Sequence, residues 1–310
     1  MLLTREVFWR TAHDSTALLL SLSTAGLFNL YCQPTIVAVV NAASFQNGLP
    51  PGGALVTLYV SGLSALKPGT YLAPPSQPLP ATLGGVTVAV NNDYAPLLAV
   101  IVPAIPASKV QVNFQVPSSA DASLLYEYFG AGPSYSGYIS VTDGINKAVT
   151  NMTGNVSQWG GFFSDADGYA IAIHRSDSTP VTQQSPAHPG ESIVVYADGF
   201  FLTWPSSPIA VPVPPLASFE ANYLRRAKAG DLYLQAYIGP PNNCAPNPGP
   251  CAGSAPSTPP LKINSAGLVE GSIGVEEINF AIPSSQAPGS WALFFNDCME
   301  TTGIPGSCGG

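Results

Sequence analysis

The stretch that decides the fold occurs twice: PGGALVTLYVSGL at residues 51–63 returns as PGESIVVYADGF at residues 189–200. A second stretch, VNFQVPSS at residues 112–119, returns in the same order as INFAIPSS at residues 278–285. Stretches that repeat in a fixed order indicate tandem, related domains. Both are rich in β-branched and aromatic residues and are bounded by Gly or Pro, which is typical of β-strands and their turns.

Further strands are predicted outward from these stretches. The clearest is residues 109–116, with Val110, Val112, Phe114 and Val116 facing a core and Lys109, Gln111, Asn113 and Gln115 facing solvent. The other predicted strands are residues 36–41, 54–61, 85–91, 97–102, 136–142, 169–173, 192–197, 231–237, 267–272, 275–282 and 290–296. Residues 67–80 and 151–161 are predicted loops, and residues 217–229 a short helix.

The composition favours an all-β fold. Charged residues make up 9% of the chain and apolar residues 46%, so each half can bury a core. With 30 glycines and 32 prolines, long helices are disfavoured. Short strands separated by turn signals predict antiparallel β-sandwiches, one at residues 33–180 and one at residues 181–310. An insertion at residues 240–260 carries two cysteines.

The N-terminus is typical of an export signal. Arg5 and Arg10 precede an apolar stretch at residues 17–31, which suits a signal peptide and is short for a membrane span. Residues 1–32 are therefore a predicted signal peptide, and the protein is expected to be secreted or at the cell surface, with no transmembrane span. Lipid attachment at Cys32 stays open as an alternative.

The four other cysteines, Cys244, Cys251, Cys298 and Cys308, fit an oxidising compartment. Three pairings are possible, and Cys244–Cys251 with Cys298–Cys308 is favoured because each closes a short loop. A zinc site is disfavoured because the spacings are longer than CxxC and no histidine follows His188. The net charge of −8 without a dense basic patch excludes a nucleic-acid partner.

Several of these motifs together resemble a known family. They are residues 40–45, 51–52, 55–58, 61–63, 79–88, 95–98, 112–117, 188–191, 194–197, 265–268, 274 and 278–280. The family is an uncharacterised C-terminal domain of secreted proteins from Solibacter-type Acidobacteria. The resemblance implies two tandem Ig-like or IPT-like sandwiches on an exported protein, and it implies no catalytic residue and no cofactor.

The residues that could carry chemistry have ordinary structural explanations. Asp165 and Asp167 precede Gly168 as in a calcium loop, but the remaining ligands of such a loop are missing, so they form only a weak candidate. His174 is predicted to be a surface residue at a strand end, and no GxSxG nucleophile motif is present. Glu276 and Glu277 are adjacent on a predicted strand and should point to opposite faces.

The predicted function is therefore that of an exported, non-enzymatic structural or interaction protein. Its N-terminal strand could be donated to a neighbouring molecule, with Ile36, Val37, Val39 and Val40 as the donor residues. The alternative is a carbohydrate-binding or adhesion module that uses Tyr126, Tyr128, Tyr135 and Tyr138 as a contact surface. The expected partners are further copies of the chain or a cell-surface protein or glycan.

Overall fold

A computed structural model describes residues 33–50, 52–74, 78–105, 108–117, 134–155, 161–199, 209–211, 233–239 and 261–298. These residues form an all-β structure of antiparallel sheets with no helix. The strands are β1 (Thr35–Asn41), β2 (Leu55–Ser61), β3 (Gly69–Leu72), β4 (Thr82–Leu83), β5 (Val86–Val90), β6 (Asp93–Tyr94), β7 (Leu97–Val102), β8 (Val110–Gln115), β9 (Ser134–Thr142), β10 (Lys147–Asn155), β11 (Gly161–Phe162), β12 (Ala172–His174), β13 (Ser192–Asp198), β14 (Tyr233–Gly239), β15 (Ile263–Leu268), β16 (Glu276–Ala281) and β17 (Ala292–Cys298).

The first ten strands form two sheets around one core. One sheet has the order β1-β2-β8-β7-β3; the other has the order β10-β9-β5-β4, with β6 also paired to β5. Alternate side chains of β2, β5, β8 and β9 point into the shared core, and Phe114 is its largest fully buried residue. Two sheets that bury alternate residues against each other form a β-sandwich, as the strand pattern predicts.

The repeat is present in the strand pairing itself. Strands β2, β8 and β7 pair in the same order and register as β13, β16 and β15, so that Phe114 corresponds to Phe280. Each copy has one register shift at the same place, next to Leu98 in β7 and next to Asn264 in β15. A register shift, or β-bulge, at the same position in both copies indicates that the two copies have the same backbone arrangement.

Backbone hydrogen bonds fix the alignment of the repeated stretches to the residue. Gly53 N donates to Val116 O at 2.8 Å, and Gly190 N donates to Ile282 O at 2.9 Å. Both glycines have a left-handed backbone, with φ of 90° and 85°. Gly190 therefore corresponds to Gly53, and Glu191 to Ala54.

The first strand and its turn are also repeated, at a place that sequence comparison missed. In β1, Asn41 N bonds Gln46 O at 3.0 Å, and in β12 His174 N bonds Thr179 O at 2.8 Å. The turns that follow have a residue with left-handed backbone at the same position, Phe45 at φ 56° and Ser178 at φ 59°. His174 thus occupies the position of Asn41.

Strands β11 and β12 together occupy the edge of β13, as β1 occupies the edge of β2. The second copy of the strand set therefore begins at residue 161, and its pairing crosses the predicted domain boundary between residues 180 and 181. We call residues 34–155 the first copy and residues 161–298 the second copy. In the second copy β14 pairs with β17, as β5 pairs with β9 in the first.

Some sequence predictions differ from the structure. Strand β3 lies in the predicted loop 67–80 and pairs with β7, and β10 extends into the predicted loop 151–161. Gln115 was predicted to face solvent, yet it is fully buried. Its amide donates to Gly53 O at 2.9 Å and its Oε1 accepts from Ala210 N at 2.8 Å, so both polar ends are satisfied inside the fold.

Some predictions fall outside the described residues. These are the signal peptide at residues 1–32 with Cys32, the helix at residues 217–229, and the insertion at residues 240–260. Within the described part of the chain, no helix has the length and apolar character needed to cross a membrane.

Candidate functional sites

The predicted donor residues lie on β1, at the edge of its sheet. Val39 and Val40 are buried, whereas Val37 is 44% exposed at the register shift between Ile36 and Ala38. On the side of β1 away from β2, Gly48 N bonds Val39 O at 2.9 Å, so the following turn covers the C-terminal half of the strand. Ile36 packs against the core of the first copy.

The predicted tyrosine surface is described only in part. Tyr126 and Tyr128 lie outside the described residues, and Tyr135 is described only as a backbone position in β9. The Tyr138 hydroxyl makes a short hydrogen bond to Asn92 Oδ1, in the turn between β5 and β6. The tyrosine surface therefore stays a prediction.

The calcium candidate is a hairpin turn. Asp165 Oδ1 accepts the backbone N–H groups of Asp167 at 3.0 Å and Tyr169 at 2.9 Å. A carboxylate that bonds the backbone two residues on is the usual Asx turn. In the described part of the chain no three His, Cys, Asp or Glu residues are grouped so as to hold a metal ion.

The predicted disulfides are not described. Cys244, Cys251 and Cys308 lie outside the described residues, and Cys298 is described only as the last backbone position of β17. Their pairing stays a prediction.

The two copies meet at a buried carboxylate, Asp198, which is 0% exposed at the end of β13. Asp198 Oδ2 accepts from Asn41 Nδ2 at 2.9 Å, and Asp198 Oδ1 accepts from the backbone N of Leu55 at 2.9 Å. Asn41 Oδ1 in turn accepts from the backbone N–H groups of Ala43 and Ser44, both at 2.8 Å. One carboxylate of the second copy thus binds the end of β1 and the start of β2.

The backbones of the two copies approach closely around this carboxylate. A Cβ atom at Gly161 would lie 2.2 Å from Ser44 Cβ and 2.7 Å from Ser44 N. A Cβ atom at Gly274 would lie 2.8 Å from Leu55 Cδ2. Only glycine fits at either position without moving its neighbours. We call this contact, formed by Asn41, Ser44, Leu55, Gly161, Asp198 and Gly274, the junction.

Burial raises the pKa of Asp198 well above its ordinary value of 3.8, and the nearby Glu276 carboxylate raises this pKa further. The hydrogen bonds from Leu55 and Asn41 act in the opposite direction. Glu276 is 5% exposed and Glu277 is half-buried, as expected for neighbours on opposite faces of a strand. The two glutamates therefore do not form a catalytic carboxylate pair.

His174 is buried, which corrects the prediction of a surface residue. Its Nδ1 lies 2.5 Å from Glu191 Oε1, and its Nε2 lies 3.1 Å from Ser185 O and 3.2 Å from Ser185 Oγ. Glu191 Oε2 also accepts from the backbone N of His188 at 2.9 Å. The ring is buried because it takes the place of Asn41 in the strand set and closes the end of its own sheet.

The charges around His174 are consistent with an ion pair. The hydrogen bond to Glu191 raises the pKa of His174 above its ordinary 6.5, while burial acts against this rise. Burial acts to raise the pKa of Glu191, but hydrogen bonds from His188 and His174 outweigh it and lower this pKa below 4.5. The pKa of Asp177 is lowered by hydrogen bonds from Thr179.

A serine, a histidine and a glutamate within hydrogen-bonding distance resemble a hydrolase triad, but one part of such a site is missing. In hydrolases with a GxSxG nucleophile turn, the residue after the nucleophile supplies an oxyanion donor from its backbone N–H. Here that residue is Pro186, which has no N–H. Ser185 Oγ also shares Nε2 with the Ser185 carbonyl oxygen, which competes for the same ring nitrogen.

Sequence reasoning missed both the junction and the His174 cluster. The stretch around His174, IHRSDS at residues 173–178, corresponds to VNAASF at residues 40–45. The two stretches differ at almost every side chain, so their position relative to the repeated strands was the sequence signal for His174. No sequence pattern pointed to Asp198, because the repeat has Ser61 at the matching position. No family model, curated protein or solved structure matches the chain, so the resemblance described above stays a prediction.

Proposed function

We propose that this chain is an exported, non-enzymatic structural protein that self-associates by exchanging strand β1 between molecules. The observation that carries this proposal is the position of β1. It is the first described strand, it lies at the edge of its sheet, and its only strand partner in the described residues is β2.

The strand order supports Ig-like modules. In immunoglobulin-type sandwiches strands A, B, E and D form one sheet and strands C, F and G the other. In the first copy, strands β1, β2, β5, β7, β8, β9 and β10 can be lettered A to G in chain order. Strands A, B, E and D are then β1, β2, β8 and β7, which lie in one sheet, and strands C, F and G are β5, β9 and β10, which lie in the other. Modules of this type serve many exported proteins as adhesive or structural units, so the fold alone carries no enzymatic implication.

The junction supports a structural, scaffolding role for the protein. A carboxylate that is fully buried between two copies holds them in one arrangement, because any tilt would break its bonds to Asn41 and Leu55. Two modules fixed in this way present their surfaces at a constant spacing. That property suits an assembling structural protein more than a flexible linker between enzymes.

A non-enzymatic role predicts that Ser185 is unreactive. We expect a fluorophosphonate probe to leave Ser185 unlabelled in the folded, full-length protein, because the site lacks an oxyanion donor from Pro186. The measurement is intact mass and peptide mapping after incubation with the probe. Labelling that is lost in Ser185→Ala and in His174→Ala would instead support a hydrolase.

Strand exchange fits β1 better than addition of a strand outside it. The outer side of β1 carries the covering bond from Gly48 to Val39, and the pairing of β1 with β2 shifts register near Val37; both features protect an edge. The pairing of β1 with β2 can be reproduced between two molecules without any new contact. Exchange of identical elements is a low-cost route to assembly.

A cysteine pair can distinguish exchange from other contacts. Thr35 and Ser61 are paired residues of β1 and β2 that lie near the surface. If exchange occurs, we expect Thr35→Cys/Ser61→Cys to form covalent dimers and larger species under oxidation, visible on a non-reducing gel. Cross-links confined to single chains in an oligomeric sample would contradict the proposal. The single variant Thr35→Cys controls for the native cysteines.

Deletion of residues 33–41 provides the second arm of this test. We expect any oligomers or fibres seen by electron microscopy to be lost. Because the deletion also removes the buried Val39 and Asn41, the soluble fraction and the circular dichroism spectrum must be measured beside it. Assembly that persists in a folded deletion variant would overturn the proposal.

A glycan-binding role is the second candidate, and one observation favours it. Tyr94, in β6, is 67% exposed, and the turn before it holds the Tyr138 hydroxyl through Asn92. Exposed tyrosines are common in sugar-contact surfaces. Binding on a glycan array that is lost in Tyr94→Ala or Tyr138→Ala would support this role.

A further inference from the structure

Residues 181–191, the second part of the connection between β12 and β13, contact His174 through Ser185 and Glu191; we call this segment the strap. Its first residue bonds back to the sheet, Val181 N to Ala172 O at 2.9 Å, and Val181 and Ala187 pack against the core of the second copy. Between these points the strap is exposed. It is further linked to the sheet by the backbone hydrogen bonds of Gly190 N and Glu191 O with Ile282, and by the contacts of Ser185 and Glu191 with the His174 ring.

Both partners of the His174 ring require a hydrogen-bond donor from it. Glu191 Oε1, at 2.5 Å from Nδ1, is a carboxylate oxygen, and Ser185 O, at 3.1 Å from Nε2, is a carbonyl oxygen. Both oxygens only accept hydrogen bonds, so both contacts need an N–H on the ring. Only the doubly protonated imidazolium has an N–H at both nitrogens.

Neutral imidazole holds the strap less well. With its proton kept at Nδ1 for Glu191, Nε2 can accept only from the Ser185 hydroxyl at 3.2 Å, and the contact with the carbonyl is lost. The hydrogen bond to Glu191 also loses the positive charge of the ring. The Glu191 side chain is only 18% exposed, so this bond is partly shielded from water. Loss of the imidazolium charge weakens this hydrogen bond, because it then has one ionised partner in place of two.

We propose that His174 is a pH-operated latch, which holds the strap against the second copy when its ring is doubly protonated and releases the strap when the ring becomes neutral. The equivalent turn of the first copy has no such device. There Asn41 stands in place of His174 and Ala54 in place of Glu191, and neither side chain titrates.

Few ionisable groups act on this pair. Asp177, in the turn after β12, acts on His174 through its charge, and His188, in the strap, acts on Glu191. From the neighbouring strands, the residues in register with His174 are Ile193 and Phe280, which carry no charge. The titration of the latch therefore belongs to His174 and Glu191.

The direction of the pH response follows from the two shifts. The pKa of His174 is raised in the folded protein, so its contribution is complete below pH 6.5 and is lost as the pH rises through the folded value. The pKa of Glu191 is lowered, so its contribution is complete above pH 4.5 and is lost as the pH falls through the folded value. The strap is held most firmly between these limits.

Hydrogen exchange of the full-length protein tests the latch. Protection factors of the amides at residues 182–190, which correct for the intrinsic effect of pH, are measured from pH 5 to 9. We expect protection to fall about tenfold as the pH rises, the size of one charged hydrogen bond. We also expect both ring nitrogens of His174 to carry protons at pH 5.5 in nitrogen-15 spectra. A flat profile, or a neutral ring at pH 5.5, would overturn the proposal.

Three variants sharpen the test. His174→Asn and Glu191→Ala use the residues that the first copy has at the same backbone positions, so both are expected to fold. We expect His174→Asn to remove the pH dependence and Glu191→Ala to move it to lower pH. His188→Gln removes the other histidine of the strap and should keep the wild-type profile. The same fall in His174→Asn as in the wild type would contradict the latch.

Discussion

Replacing Asp198 with alanine is expected to lower the free energy of unfolding by about 3 kcal/mol, because the change leaves buried donors without acceptors. The donors are Asn41 Nδ2, on a side chain that is 2% exposed, and the backbone N of Leu55. Denaturation by urea, followed by fluorescence and circular dichroism, measures the loss.

The matched control for this substitution is Ser61→Ala. Ser61 corresponds to Asp198 in the repeat, and its hydroxyl reaches only Thr35 O at a marginal 3.5 Å. We expect a change within about 0.5 kcal/mol, as for most surface substitutions. Equal losses in the two variants would show that the junction does not depend on the carboxylate.

Replacing Gly161 with alanine is expected to cost about 2 kcal/mol or more, because the new Cβ would overlap Ser44. The overlapping atoms are Ser44 Cβ at 2.2 Å and the Ser44 backbone N at 2.7 Å, and neither belongs to a flexible side chain. The junction must therefore open locally, which should also expose Asn41 and increase hydrogen exchange at residues 43 and 44. Both the urea midpoint and the exchange rates report this opening.

Gly267→Ala is the matched control for Gly161→Ala. Gly267 also lies in a strand of the second copy, and a Cβ there would have no atom within 4 Å. We expect Gly267→Ala to be neutral or slightly stabilising. A double variant with Ser44→Gly should restore part of the loss at Gly161, since it removes one of the two overlaps. No loss in Gly161→Ala would contradict the close approach.

The contact at the junction is not expected to repeat, so that further copies would not add to the end of the first copy in the same way. At the matching end of the first copy, Thr35 stands in place of Gly161 and Ser61 in place of Asp198. Thr35 would bring a side chain where only glycine fits, and Ser61 lacks the carboxylate. The end-to-end contact is thus specific to this pair of copies, which leaves the sheet edge at β1 as the proposed route of assembly.

The strands with regular alternation were predictable from the sequence. The prediction at residues 97–102 matches β7, and those at residues 54–61 and 275–282 match β2 and β16 within two residues. Strand β3 was missed because Pro68 and its neighbours resemble a loop, although pairing with β7 stabilises an extended backbone there. Gln115 was placed on the wrong side because a polar residue at a strand end can be buried when backbone groups satisfy its amide.

The sequence alone determined that the protein is all-β and that it contains a repeated strand set, because both depend on local patterns: alternation, turn residues and recurring stretches. Only the tertiary structure decided that the second copy begins at residue 161, that His174 replaces Asn41, and that Asp198 joins the copies. These features depend on backbone hydrogen bonds and close approaches between residues far apart in the chain. Such contacts constrain the backbone geometry and leave the identity of most side chains free.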